Sequence, residues 1–383
     1  MLPDHQTLRI PGPTPIPPSV QKAMAQGMIG HRSSDFKQLL QEISPRLKPI
    51  FGTTHEVLLL TNSGTAGLEA AVVNSLQPHD EVLVLVTGAF GERFVKICET
   101  YQAHVHRLDV QLGRSVQPEQ VSEFLKQYPK VKAVFVTYCE TSTAVLNPVA
   151  EIATAIHDVS DALVIVDGVS CVGAVPMQMD EWGIDIVVTG SQKAFMLPTG
   201  LSFIAISEKA QKIIDQNKQP RFYLDLRKYR DSIKEFSTPF TPAVSLIQGL
   251  QQTLNLFEEE GLEQVFKRHV LMRDMTRAAC RALNLPLLTS DEDASPTVTA
   301  IRPIDFQADE LRGILKKEFG ITIAGGQQQL QGKIFRLGHM GYCAPSDVLQ
   351  YISAVEIALK RLKVEIELGQ GLKAAQEVYY HAI

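Results

Sequence analysis

The sequence predicts an α/β fold, a mainly parallel sheet covered on both faces by helices. Three observations carry that prediction. Six short apolar runs rich in β-branched residues occupy 57–60, 82–86, 131–137, 163–166, 186–188 and 203–206. Runs that stay apolar instead of alternating belong to strands buried on both faces. Amphipathic stretches at 69–76, 94–101, 118–127 and 149–157 separate several of them, and strand–helix alternation of this kind builds a doubly wound sheet. The composition, with 383 residues, 45% hydrophobic and 21% charged, is that of a globular chain and not a disordered one.

In chain order, the first element is an arm. Residues 9–18 read Arg-Ile-Pro-Gly-Pro-Thr-Pro-Ile-Pro-Pro. Five prolines in ten positions exclude a helix or a central strand. An extended arm over 1–18 is expected, docked through its apolar residues and its Gly-Pro turn, with a solvated tail as the alternative. The large domain then spans 19–260. Beyond about 241 the pattern changes. Helices are expected at 244–259 and 262–283, broken at Gly261, then strands at 297–301 and 334–337 with helices at 308–318 and 346–363. This describes a smaller α+β domain over 261–383. There is no internal repeat and no low-complexity tract.

Charge and cysteine usage narrow the function classes. The net charge of −5 offers no electrostatic case for nucleic acid or for an anionic membrane. The five cysteines are scattered and form no CxxC pair, which argues against a disulfide framework or a metal site and for a reducing compartment. The start of the chain has no basic and apolar leader pattern, the end is not an SKL-type address, and the apolar runs are too short to span a bilayer. A soluble, cytoplasmic protein is expected.

In open α/β sheets, ligands bind beyond the C-terminal ends of the strands, so the residues after each apolar run carry the chemistry. Thr61-Asn62-Ser63-Gly64-Thr65-Ala66-Gly67 puts small residues before a helix, which suits an anion or a plain N-cap equally. It is neither GxGxxG nor a P-loop, and the missing dinucleotide fingerprint argues against a nicotinamide dehydrogenase. Phe90, between Gly88 and Gly91, is placed to stack on a flat ligand or to fill a core. Asp167 ends a strand, where a carboxylate needs a metal, an arginine or a protonated ring nitrogen, unless it caps a helix. Lys193 follows a strand in apolar company. Its ammonium is penalised there and the free amine is a Schiff-base nucleophile, unless the side chain snorkels to solvent. Pyridoxal phosphate would use all four features: a phosphate, a flat ring, a ring nitrogen and an aldehyde. His104 and His106 share one face of a possible strand without a third ligand nearby and read as surface residues. Glu258-Glu259-Glu260 reads as a solvated helix end.

The stretches Ser63-Gly64-Thr65-Ala66-Gly67-Leu68-Glu69-Ala70, Glu140-Thr141-Ser142-Thr143, Val166-Asp167 and Gly190-Ser191-Gln192-Lys193-Ala194 occur together and in order. With them the chain resembles the class V, fold type I aminotransferases, and within them the alanine–glyoxylate and serine–pyruvate branch. The likeness runs from Pro11-Gly12-Pro13 to Arg336-Leu337-Gly338. It implies a seven-stranded large domain and a smaller C-terminal one. By the same resemblance Lys193 is the Schiff-base lysine and proton carrier, and Asp167 pairs with the pyridinium nitrogen. Phe90, where relatives often have tryptophan, and Val169 cover the two ring faces. Thr141 lies near the ring hydroxyl and the substrate. Gly64, Thr65, Ala66 and Gln192 hold the phosphate, joined by Thr238 and Thr241 from the partner subunit of a homodimer. Arg336 grips the substrate carboxylate, and Gly12 lines the substrate pocket.

The implied reaction is a ping-pong transfer of an amino group from alanine or serine to glyoxylate or pyruvate. The alternatives are a phosphorylated or phosphonate substrate, for which Gly30-His31-Arg32-Ser33 offers cationic groups, a cysteine desulfurase, or a non-catalytic binder of the same cofactor. The desulfurase reading lacks its nucleophile, since no cysteine lies between Cys280 and Arg336.

Overall fold

A computed structural model describes residues 6–382. The expectations for residues 1–5 of the arm, including the missing leader pattern, and for Ile383 lie outside the described residues.

Strand β1 (Thr7–Arg9) opens the chain, followed by helices α1 (Pro18–Met24) and α2 (Ser34–Phe51). Then come β2 (Val57–Leu60), α3 (Gly64–Ser75), β3 (Glu81–Val86), α4 (Ala89–Thr100), β4 (His104–Asp109), α5 (Pro118–Gln127) and β5 (Ala133–Thr137). A two-stranded ribbon, β6 (Cys139–Glu140) and β7 (Val145–Leu146), leads to α6 (Val149–His157), β8 (Leu163–Asp167), β9 (Ile186–Gly190) and β10 (Ser202–Ile206). Helices α7 (Glu208–Gln216), α8 (Leu226–Ile233), α9 (Val244–Glu260) and α10 (Leu262–Ala282) follow. The last third holds β11 (Val298–Ile301), α11 (Ala308–Phe319), β12 (Ile321–Gly325), β13 (Phe335–Gly338), α12 (Pro345–Arg361) and α13 (Gln370–Ala382).

The large sheet has seven strands in the order β2-β10-β9-β8-β5-β3-β4. Strand β10 runs antiparallel to both neighbours, and the other pairs are parallel. This is the mainly parallel, helix-covered sheet that the apolar runs predict. The apolar runs supply six strands, and each is buried on both faces. Leu83, Leu85, Val134, Val136, Val164 and Val166 enter one core, while Val82, Val84, Ala133, Phe135, Leu163 and Ile165 enter the other. Phe135 is fully buried, and truncating such a residue to alanine costs about 3–5 kcal/mol. The seventh strand, β4, is the sheet's edge and is partly exposed, which is why its polar sequence hides it. His106 on β4 meets Glu81 at 3.1 Å.

The second sheet has the order β1-β12-β13-β11 and lies over its own core, which includes Met272, Leu311, Phe335 and Ile352. Gly261, at φ 81°, separates α9 from α10.

Two details depart from the sequence reading. The arm is extended but not free: Thr7–Arg9 pairs in parallel with Ile321–Ile323 as an edge strand of the small sheet, and its last residue, Pro18, already begins α1. Helix α2 was hidden by Pro45 and Pro49 within it. It forms because Phe36, Leu39, Leu40, Ile43, Leu47 and Ile50 make one buried stripe, Ser33 caps its N-terminus and Gly52 ends it in the left-handed conformation. Burial at about 1.5–3 kcal/mol per large apolar side chain outweighs about 3 kcal/mol for each interior proline. Among the described residues, no helix is long and apolar enough to cross a membrane.

Candidate active site

The C-terminal ends of β2, β3, β8 and β9 open onto a cavity of about 180 Å³, lined among others by Gly12, Thr65, Phe90, Arg93, Asp167, Val169, Gln192 and Lys193. Seven of the sequence-derived site residues therefore share one space. A larger hollow of about 1000 Å³ lies between the arm, α9–α10 and residues 341–347, but none of those site residues lines it.

Strand register brings the two central groups together. Strands β8 and β9 are parallel neighbours with Asp167 opposite Val188, so the end of β8 and the turn after β9 face the same edge. Asp167 is buried, and its Oδ1 accepts the Val169 N–H at 2.9 Å. Burial pushes its pKa up to about 6, with the Val169 bond opposing and the Glu140 charge adding. Lys193 is also buried, and the same desolvation pulls its amine down to about 8. A lysine near 8 is far better supplied with free base at neutral pH than an exposed one.

The arm fixes this lysine. Lys193 Nζ donates to the Pro11 carbonyl at 2.6 Å, the Thr14 hydroxyl donates to the Lys193 carbonyl at 2.9 Å, and the Thr14 N–H donates to the Gln192 carbonyl at 3.1 Å. Gly12 is required between them. Its φ is +129°, and an added Cβ would stand 2.5–2.7 Å from the end of the Lys193 side chain.

Helix α3 begins at the cavity. Ser63 Oγ caps it by accepting the Ala66 N–H at 3.4 Å, which leaves the first-turn N–H groups at Gly64 and Thr65 without intrahelical carbonyls. Gly64 packs against Val169. Phe90, in the first turn of α4, is held by its backbone. Glu140 Oε2 accepts the N–H groups of Phe90 and Gly91 at 2.9 and 3.1 Å, and Oε1 accepts the Ser142 N–H and hydroxyl.

The aminotransferase class-V family profile matches residues 10–356. The chain belongs to the class-V aminotransferases. It is 41% identical to the soluble hydrogenase 42 kDa subunit of Anabaena cylindrica, over 98% of this chain and 99% of that one. It is 36% identical to the L-aspartate–glyoxylate aminotransferase of Paracoccus denitrificans, over 97% of this chain and 95% of the relative. The crystal structure of the ureidoglycine–glyoxylate aminotransferase of Bacillus subtilis superposes with a TM-score of 0.93 at 31% identity, covering 99% of both chains. Among the described residues of this aminotransferase, no group of three His, Cys, Asp or Glu is placed to hold a metal ion, and all five cysteines are buried and unpaired.

The remaining site residues of the aminotransferase stand outside the cavity wall. Arg336, on β13, is buried, and burial lowers its pKa to about 10, with Glu140 opposing. Its Nε donates to the Gly325 carbonyl at 2.9 Å and its Nη1 to the Thr141 carbonyl at 2.7 Å. Nη2 has no protein partner among the described residues. Ala66 lies one residue behind Thr65 on α3. Thr238 gives its hydroxyl to the Phe240 carbonyl at 2.8 Å and accepts Arg32 at its own carbonyl. Neither Thr238 nor Thr241 lines the cavity of its own chain.

Two residues escaped the sequence reading. Glu140 sits inside a quoted motif, yet nothing in sequence reveals that it gathers two N–H groups from α4. Arg93 lies three residues after Phe90 on α4, and that i, i+3 spacing was the available signal. Its guanidinium carbon sits 4.7 Å from the Phe90 ring centroid, and Nη1 donates to Thr65 Oγ1 at 3.2 Å.

Proposed function

We propose that this aminotransferase uses pyridoxal 5'-phosphate to move an amino group from a small amino acid, alanine or serine, to glyoxylate or pyruvate by a ping-pong mechanism. The observation that carries the reading is the pairing of a buried Lys193 amine and a buried Asp167 carboxylate in one cavity, beside the Phe90 ring and the N-terminus of α3. The family uses this cofactor. The donor set fits it in a second way: Gln192 Oε1 and Thr141 Oγ1 are buried without hydrogen-bond partners, a state costing about 1–3 kcal/mol for each atom. Glyoxylate as acceptor is supported by the names of the Paracoccus denitrificans and Bacillus subtilis relatives.

When bound, the cofactor supplies an electron sink for the pair released as the donor Cα–H breaks. Lys193 supplies the amine that holds the cofactor aldehyde. Once freed by the donor amino acid, its Nζ would act as the general base that takes the Cα proton and as the general acid that gives the same proton back to complete the transfer. Asp167 keeps the ring nitrogen protonated, and the cation in turn repays the burial of its carboxylate. Arg336, steadied by the carbonyls of Gly325 and Thr141, binds the substrate carboxylate through its free edge and orients Cα–H. Phe90 and Val169 cover the ring faces. Thr238 and Thr241 complete the phosphate site of a partner subunit in a homodimer. The arm (1–18), a cofactor-binding unit (19–260) and a small unit (261–383) divide this work. Five unpaired cysteines fit a reducing, cytoplasmic setting.

The test is a panel of amino donors against glyoxylate and pyruvate, scored as kcat/KM. Alanine or serine with glyoxylate is expected to lead. Absence of transamination with every pair would reject the reading, and a dicarboxylic donor leading by tenfold or more would correct its substrate.

A further inference from the structure

We propose that Arg93 is a phosphate-binding residue of the cofactor site, the cation that balances the dianion there. The inference rests on the reading that pyridoxal phosphate is the cofactor. The residues assigned to the phosphate so far, Gly64, Thr65, Ala66 and Gln192 with Thr238 and Thr241 of the second subunit, are all neutral. A phosphate carries about −1.5 to −2 charge at pH 7, and helix ends supply roughly half a charge. Among the described residues two cations line the cavity, Lys193 and Arg93. Lys193 is committed to the aldehyde.

Arg93 is positioned for the other task. It donates to Thr65 Oγ1 at 3.2 Å in the first turn of α3 and lies 4.7 Å from the Phe90 ring centroid. Among the described residues no carboxylate stands within 4 Å of it. Most arginines of this chain, among them Arg46, Arg107, Arg230 and Arg268, are paired with carboxylates. An unpaired guanidinium that still lines a cavity and touches a helix N-terminus is placed to meet an anion bidentately. Gln192 supports the same anion: its Oε1 is orphaned, and a half-turn of the amide presents Nε2–H in its place.

The alternative role is support of the Phe90 ring alone, through the cation–π contact. The two roles separate when the phosphate is removed from the ligand. The full chain, stripped of cofactor, is titrated with pyridoxal phosphate and with pyridoxal, following absorbance and protein fluorescence. Phosphate binding predicts that Arg93→Gln weakens pyridoxal phosphate about 10- to 100-fold and changes pyridoxal by less than about twofold. Arg93→Lys keeps the charge without the fork, so it recovers part of the loss for pyridoxal phosphate alone. It carries the same comparison if Arg93→Gln does not fold. Equal weakening of both ligands, or of neither, overturns the inference. A wild-type chain that binds neither ligand overturns the cofactor reading itself.

Discussion

The Lys193 amine and the Pro11 carbonyl meet at 2.6 Å across 182 residues of chain. One end of the contact is a side chain just beyond a central strand, and the other is backbone of the proline-rich arm. The arm is therefore part of the candidate active site, and its residues predict measurable behaviour of the lysine.

Gly12→Ala tests that contact. The new methyl group would overlap the Lys193 side chain, and φ +129° is strained for alanine, at about 1–3 kcal/mol. We expect the melting temperature to fall and aldehyde capture, trapped with borohydride, to slow roughly tenfold or more. Wild-type capture rates in a folded variant would refute the arrangement.

Aldehyde capture by Lys193 requires the free amine. Burial brings that amine to about 8, with Arg336 and Arg93 also lowering it and Asp167 opposing. The rate for the cofactor-free protein should rise with pH, reach half its plateau near pH 8 and level off above it. Lys193→Ala should lose both capture and turnover. A midpoint above pH 10, as for an exposed lysine, would contradict burial of the amine.

Asp167→Asn separates catalysis from stability. The half-reaction should slow by several powers of ten with cofactor bound, because the ring nitrogen loses its counter-charge. Stability of the cofactor-free protein should move the other way. The folded pKa of Asp167, about 6, lies above its unfolded value, so its contribution is fully present below about pH 4 and lost as pH rises through 6. That rise corresponds to about 3 kcal/mol. Denaturation midpoints of the two proteins should therefore diverge between pH 4 and 7 in favour of Asn.

Glu140→Gln tests the staple between α4 and the 140–142 ribbon. Glutamine has one acceptor oxygen, so its NH₂ must face either the Phe90 and Gly91 N–H groups or the Ser142 donors. The buried mismatch should cost about 1–3 kcal/mol, read as a lower melting temperature. Arg336 also loses a neighbouring carboxylate that competes with the substrate anion, so KM for the amino donor should fall while kcat changes little. An unaltered KM would detach Glu140 from the arginine.

Arg336→Lys replaces a fork anchored on two carbonyls with a point charge. KM for the amino acid should rise by one to two powers of ten, roughly the worth of a charge-assisted pair, while cofactor affinity measured by absorbance stays constant. Equal loss of both would make the residue structural.

The large sheet was legible because doubly buried strands write continuous apolar runs, and its C-terminal loops were legible because they follow those runs. Edge strands were harder: β4 and β1 expose one side and so carry polar residues. Helix α2 was masked by two prolines whose local penalty yields to tertiary packing. Lys193 and Asp167 were legible as polar residues at the ends of apolar strands. Arg93 and Glu140 were not, because their meaning lies in what they touch across the fold, Thr65 and the first turn of α4.

Strand β1 ties the arm to the small sheet, and a few residues later the same arm grips Lys193. The arm thus works as a connecting rod. Were the small sheet to slide against the large one, the pull would pass along the arm to the carbonyl that tethers the amine.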